Sequence, residues 1–519
     1  MRSLLLLAAF AASGALGVDT LVDLGYSKYK GEEQDDGITH WIGLRYADQV
    51  TGENGLRFAA PRDPPSTKGI VDANKYGPVC LGTSFNLTDQ NTDKESEDCL
   101  FANVFAPTNA STSNLLPVYV FIQGGGFNAN ANSNYNGSEL IRAADMGMVF
   151  VNFNYRVGPY GFLASQKIAG NKSLSLNNGL KDQRQLLKWV QDHISKFGGD
   201  PNHVVLGGAS AGAGSVVLQL TAYGGSDANL FHAAAGESQS FPALRDVKDS
   251  EFMYRELLKQ AHCKTLACLQ TMDAPAFQQA VKKVKIAFPG GRNPPIYLWG
   301  PTLDYDFVKD YTYNEIANGH FVKVPTIFGD DTNDGLSFTP KTITTQTESD
   351  DFVRSQFPSL TDKDLDKLRT VFTGTNGWRE QAGDLYGSIR YLCPGLNMTS
   401  AYAKANQNAW NYHWNVGTAG HVSEIGPLFW GDKTIAGKTE PGQYIHQYWA
   451  SFIRTYNPNN YSGYVYKNQK KQTFTWEQSK GAYGQRILFD NAVVKMEDVP
   501  AIEKQKCALI DSIGITLVQ

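Results

Sequence analysis

Between Met148 and Tyr223 the sequence changes its hydrophobic period three times, and this alternation limits the fold more than any other feature. MVFVNFNYR (148–156) is an apolar run of strand length. In NNGLKDQRQLLKWVQDHISKFGG (177–199), Leu180, Leu187, Val190, Ile194 and Phe197 recur at helical spacing and mark one apolar face, which Gly198 and Gly199 end. HVVLGG (203–208) returns to strand character, and AGSVVLQLTAY (213–223) to helix. Strand, helix, strand is a crossover that joins parallel strands. The expected class is therefore α/β, a large and mostly parallel central sheet flanked by helices. PVYVFIQ (117–123), KVPTIFGD (323–330) and AWNYHWNV (409–416) supply further strands.

The junction VVLGGASAGAGSV (204–216) falls where a strand gives way to a helix. Gly208-Ala209-Ser210-Ala211-Gly212 has G-x-S-x-G spacing, and in this setting it reads as a nucleophile elbow. The turn is too sharp for side chains beside it, hence the flanking glycines. It holds the Ser210 hydroxyl up, next to the amides that open the helix. FIQGGGFN sets Gly124, Gly125 and Gly126 directly after the 117–123 strand, where unobstructed N–H groups can face a developing oxyanion, and the N–H of Ala211 would complete the hole.

An elbow serine of this kind is followed in the chain by its acid and then its histidine. Of nine histidines, that order leaves His413, His421 and His446. His413 is inside AWNYHWNV and His446 inside the helix-like QYIHQYWASFI, whereas His421 is in the loop VGTAGHVSEIG and is the expected base. The acid that holds its tautomer is expected in DDTNDG, where Asp330, Asp331 and Asp334 are all available.

The remainder of the chain bears on where this chemistry takes place. MRSLLLLAAFAASGALG has one charge at Arg2, a short apolar run broken by Ser13 and Gly14, and small residues at Ala15 and Gly17. It reads as a cleaved secretory leader (1–17), too short to span a bilayer, with Val18 as the first mature residue. Six cysteines (Cys80, Cys99, Cys263, Cys268, Cys393, Cys507) suit three disulfides outside the cell. Fifteen pairings exist, and neighbours in sequence are the preferred guess, leaving Cys393 with Cys507. Six N-x-[ST] sequons, at Asn86, Asn109, Asn136, Asn171, Asn397 and Asn460, suit a secreted glycoprotein. Lys and Arg (47) nearly balance Asp and Glu (51), so there is no basic field for nucleic acid. No H-E-x-x-H or G-x-G-x-x-G calls for a metal or cofactor.

The chain resembles the type-B carboxylesterase/lipase family of α/β-hydrolases. EDCLFANVFAP (97–107), GGGF, NYRVGPYGFLAS, the 177–212 stretch and the H-x-x-E-I of the His421 loop match that family in order. The match runs from about Gly43 to Phe452 with no linker, which implies one catalytic domain (18–519) despite a length that would suit roughly three. The resemblance implies Ser210, Asp334 and His421 as triad, Gly125, Gly126 and Ala211 as oxyanion hole, and pairing of Cys80 with Cys99 and Cys263 with Cys268. The chain departs from the family's pattern at Asp334, where Glu is usual, and at Ala209, where many members carry Glu. The first disulfide loop also lacks the Trp that cholinesterases keep, so choline esters are not expected.

Family lipases carry a longer amphipathic flap in that loop. Here it has 18 residues with only Leu81, Phe85 and Leu87 large and apolar, too little for an oil surface. The expectation is a secreted serine hydrolase of small to medium soluble esters, acting through an acyl-enzyme. A triacylglycerol lipase is the alternative within enzymes, and an inactive adhesion or binding protein of the same fold is the alternative outside them.

Overall fold

Eleven strands form the central sheet: Glu32–Glu33 (β1), Ile38–Arg45 (β2), Phe101–Pro107 (β3), Leu116–Ile122 (β4), Val149–Phe153 (β5), Gly199–Ala209 (β6), Ala233–Glu237 (β7), Thr326–Asp331 (β8), Ala409–Asn415 (β9), Gln485–Asp490 (β10) and Val494–Asp498 (β11). The computed structural model describes residues 17–88, 93–130, 133–430, 439–460 and 474–519, so the expected leader lies outside it except for Gly17. Across the sheet the order is β11-β10-β9-β8-β7-β6-β4-β5-β3-β2-β1. Every pairing from β5 through β10 is parallel. The pairings outside that block are antiparallel, so the mostly parallel sheet has antiparallel margins at both ends.

Period-two alternation divides the interior into two layers. Val118, Val120 and Ile122 of β4 point into one core, with Leu180, Leu187, Val190, Ile194 and Phe197 from the helix Asn178–His193 (α1) and the short turn after it. Tyr119 and Phe121 point the other way, into a core that holds Trp410, Tyr412, Trp414 and Trp449. The double glycine ends the helical segment at Gly198, which takes φ 80°, and Gly199 already pairs with Leu116. Strand β6 therefore starts earlier than its apolar run and carries an irregularity between Gly199 and Val204.

Strand β4 lies between β5 and β6, so the chain leaves it first to one side and then to the other. At such a switch point the loops after adjacent strands diverge and leave a crevice. The helix Ala211–Leu220 (α2) follows β6 there. Further on, Trp378–Gly387 (α3), a π-helical turn Ser388–Leu392, Cys393–Lys404 (α4) and Ala501–Asp511 (α5) build a third apolar cluster.

Disulfides join Cys80 to Cys99, Cys263 to Cys268, and Cys393 to Cys507, the last tying α4 to α5. Among the described residues no helix is long and apolar enough to cross a membrane. The sequon asparagines Asn86, Asn109, Asn136, Asn171 and Asn460 are exposed. Asn397 is half-buried on α4 and donates its side-chain N–H to Asp511.

Candidate active site

Ser210 ends β6 in a conformation that side chains rarely adopt, φ 59° and ψ −121°. The backbone around it is braced: its N–H donates to Glu237 O (2.9 Å), and Ser240 Oγ donates to Ser210 O (2.7 Å). The chain then turns directly into α2, whose first N–H groups, beginning at Ala211, have no intrahelical acceptor. This junction packs against the end of β4. A Cβ on Gly212 would lie 2.0 Å from Ile122 O, so only glycine permits the approach.

The Gly-rich loop leaves the end of β4 beside this turn. Gly126 takes φ 61°, and a Cβ there would strike the Tyr297 ring at 2.2 Å. Asn128 fixes the loop, donating through Nδ2 to Gly126 O (2.6 Å) and Trp299 O (2.7 Å) and accepting from Trp299 N. Gly126 and Ala211 line the same cavity as Ser210; Gly125 precedes them in the loop and is not part of that lining.

The two remaining expected residues come from the loops after β8 and β9. Those strands pair as far as Asp331 opposite Trp414, and their loops stay joined by Asn333 N to Ala419 O (2.8 Å), Asn333 Nδ2 to Thr418 O (2.8 Å) and His421 N to Ser337 Oγ (2.9 Å). The result is a continuous chain of hydrogen bonds. His421 Nδ1–H donates to Asp334 Oδ1 (2.5 Å), which leaves Nε2 to accept from the Ser210 hydroxyl (2.7 Å). The other Asp334 oxygen accepts from Asp331 N (2.8 Å). Phe338 and Tyr391 flank the imidazole, with ring centres 4.8 and 4.5 Å away. An imidazole held this way can take a proton from the serine and return it to a leaving group.

The other candidates are engaged elsewhere. Asp330 is buried facing Arg486, at 3.8 Å, and burial pushes its carboxyl up to about 7. Asp331 accepts from Ser238 Oγ and Ser423 Oγ (both 2.8 Å), and Ser238 Oγ in turn accepts from Val422 N (3.1 Å). Asp331 thus anchors the histidine loop from below. Its burial, and the charges of Glu424 and Asp334, push its carboxyl well above the usual range. His413 pairs with Glu497 (2.9 Å) and Thr332, and His446 Nδ1 bonds Leu428 O (2.5 Å).

Sequence reasoning did not single out Glu237, Ser238 or Glu424 as support. Glu237 is fully buried, accepts from Trp449 Nε1 (2.7 Å) and Tyr119 OH (3.2 Å), and is pushed up to about 8 by burial. Glu424 accepts from Tyr412 OH (2.7 Å), and burial raises it too. The partners of Glu237 come from distant parts of the chain, so no local pattern marks it. Glu424 is the Glu of H-x-x-E-I, and that motif gives no sign that Tyr412, on the strand before the loop, would hold it. The cavity above Ser210 spans about 610 Å³ of atom-free space, its open mouth included, and much of its wall comes from residues 240–300, through Phe288, Tyr297 and Trp299. No group of His, Cys, Asp and Glu among the described residues has the arrangement of a metal site.

The chain is similar to known proteins over most of its length. The family model described as "Carboxylesterase family" matches residues 19–509. Lipase 1 of Geotrichum candidum is 30% identical over 440 residues, covering 76% of this chain and 77% of its own. The para-nitrobenzyl esterase of Bacillus subtilis is 35% identical over 338 residues, 62% of this chain and 64% of its own. Among solved structures, Aspergillus niger EstA superposes with a TM-score of 0.89 at 34% identity, over 97% of this chain and 99% of that one.

Proposed function

The chain belongs to the carboxylesterase family and is a carboxylic ester hydrolase, and from that premise we propose that it works through an acyl-enzyme on Ser210 and takes small to medium soluble esters. The observation that carries the reading is the unbroken chain from Ser210 Oγ through His421 to Asp334. His421 Nε2 takes the hydroxyl proton as Ser210 Oγ attacks the ester carbonyl. The oxyanion rests on the N–H groups of Gly125, Gly126 and Ala211. Asp334 holds Nδ1–H and balances the imidazolium. When the tetrahedral intermediate collapses, the alkoxide leaves with the proton from His421. Water, deprotonated by the same nitrogen, then attacks the acyl-serine, and the free acid departs.

The soluble-ester range is supported by the first disulfide loop. Its large apolar residues turn inward, Leu81 and Leu87 into the core and Phe85 against it, with none of the three forming an outward apolar face. Residues 89–92 of that loop lie outside the described part. The relative named Lipase 1 is the observation that favours the second reading, a triacylglycerol lipase. We further read residues 1–17 as a removed leader and 18–519 as one secreted, glycosylated catalytic domain.

A series of p-nitrophenyl esters from acetyl to palmitoyl, with Ser210→Ala as control, tests the reading. Activity should peak at short acyl chains and vanish in the variant. A peak at long chains that rises when substrate forms micelles would establish the lipase instead.

A further inference from the structure

The cavity above Ser210 has a charge imbalance that ester hydrolysis alone does not need. Its wall contains two arginines, Arg245 and Arg390, and no aspartate or glutamate. Both are half-buried, and among the described residues neither guanidinium has a carboxylate partner within ion-pairing distance, although the buried Arg57, Arg156 and Arg486 do. Arg245 stacks on the Phe288 ring at 3.5 Å, and its Nη2 is buried with no hydrogen-bond acceptor among the described residues. Arg390 projects from the π-helical turn, donates through Nη1 to Phe241 O (2.6 Å), and lies over the rings of Phe357 and Tyr386.

Two like charges that share one half-buried wall repel one another unless an anion joins them. Burial, and next the charge of Arg390, push Arg245 down to about 10, so it remains charged at neutral pH. Both side chains are already held by stacking or by a backbone carbonyl, so little freedom is lost on binding. The planar fork of a guanidinium matches a carboxylate in two parallel hydrogen bonds. Phe288, Tyr297, Trp299 and Tyr391 line the same cavity as the arginines and the serine, and their apolar surface suits a short hydrocarbon spacer.

We propose that this cavity selects esters carrying an ionised carboxylate a few bonds from the scissile ester, with Arg245 as the anchor and Arg390 beside it. The inference deepens the reading above and rests on Ser210 as the nucleophile of this same cavity. Monomethyl succinate, glutarate and adipate would be compared with the corresponding methyl ester amides, which keep the size and lose the charge. For at least one length, kcat/KM for the charged ester should exceed that for its amide by roughly tenfold or more. Arg245→Gln should bring that ratio towards one. In the unsubstituted protein, glutarate should compete with a neutral p-nitrophenyl ester far better than glutaramide does, a readout that holds even if the variant does not fold. Serine-dependent turnover of p-nitrophenyl acetate with no preference for the charged ester at any length, and equal inhibition by glutarate and glutaramide, overturns this inference alone. Absence of any Ser210-dependent turnover overturns the reading beneath it as well.

Discussion

Ser210 and Glu237 show at the scale of single residues how the site is held. The serine keeps its positive φ because its N–H and C=O are both engaged, by Glu237 O and Ser240 Oγ. The Glu237 side chain is turned away into the opposite core, where Trp449 and Tyr119 meet one oxygen and the other has no partner among the described residues. Its carboxyl is raised from 4.5 to about 8, first by burial and then by Glu424. An acid with a raised folded-state pKa binds its proton more tightly folded than unfolded. Its stabilising contribution is whole below about 4.5 and is lost as pH climbs through about 8. Glu237→Gln cannot ionise, so its Tm should decline less than the parent's between pH 5 and pH 8, by roughly a few degrees. Thermal unfolding at several pH values reads this directly, and parallel declines would show that Glu237 does not titrate in that window.

The elements explain why only part of this was legible beforehand. The crossover from β5 through α1 to β6 was readable because its apolar residues change period within a short stretch, and the elbow because its glycines are adjacent to the serine. The antiparallel margin was not read, although Asp36-Gly37 between β1 and β2 is a hairpin signal. No short turn links β2 to β3 or β3 to β5, so the direction of β3 is set by distant pairing alone. The acid was ambiguous for a similar reason. Asp330, Asp331 and Asp334 fall within five residues of sequence, and only the family resemblance set Asp334 apart. In the structure Asp330 and Asp331 end β8, while the pairing of the β8 and β9 loops through Asn333 brings Asp334 to His421. Arg245 and Arg390 were invisible as a pair because a short strand, Arg245–Asp246, and a π-helical turn far apart in sequence bring them to one wall. That assignment makes a sharp comparison possible. Asp334→Asn should lower kcat by roughly 10⁴, through the wrong imidazole tautomer. Asp331→Asn should cost far less, because Asp331 touches the histidine loop and not the ring. The reverse ranking in steady-state kinetics would give the acid's role to Asp331.

At the scale of the whole molecule, the parts of the site meet because five loops leave the same end of one parallel sheet. Those after β4, β6 and β7 bring the glycines, the serine and Ser240, and those after β8 and β9 bring Asp334 and His421. The two cores on either face of the sheet hold those strand ends in register, while the third cluster, closed by Cys393–Cys507, carries the π-helical turn that completes the cavity. The central claim is that this convergence makes Ser210 a working nucleophile. It is tested most directly by exposing the protein to an ester-mimicking phosphonate and reading the adduct by intact mass and peptide mapping. One adduct per chain, on Ser210, lost in Ser210→Ala and strongly slowed in His421→Ala, is the predicted result. Ester hydrolysis that persists with Ser210 unlabelled, or labelling that settles on another residue, would contradict it.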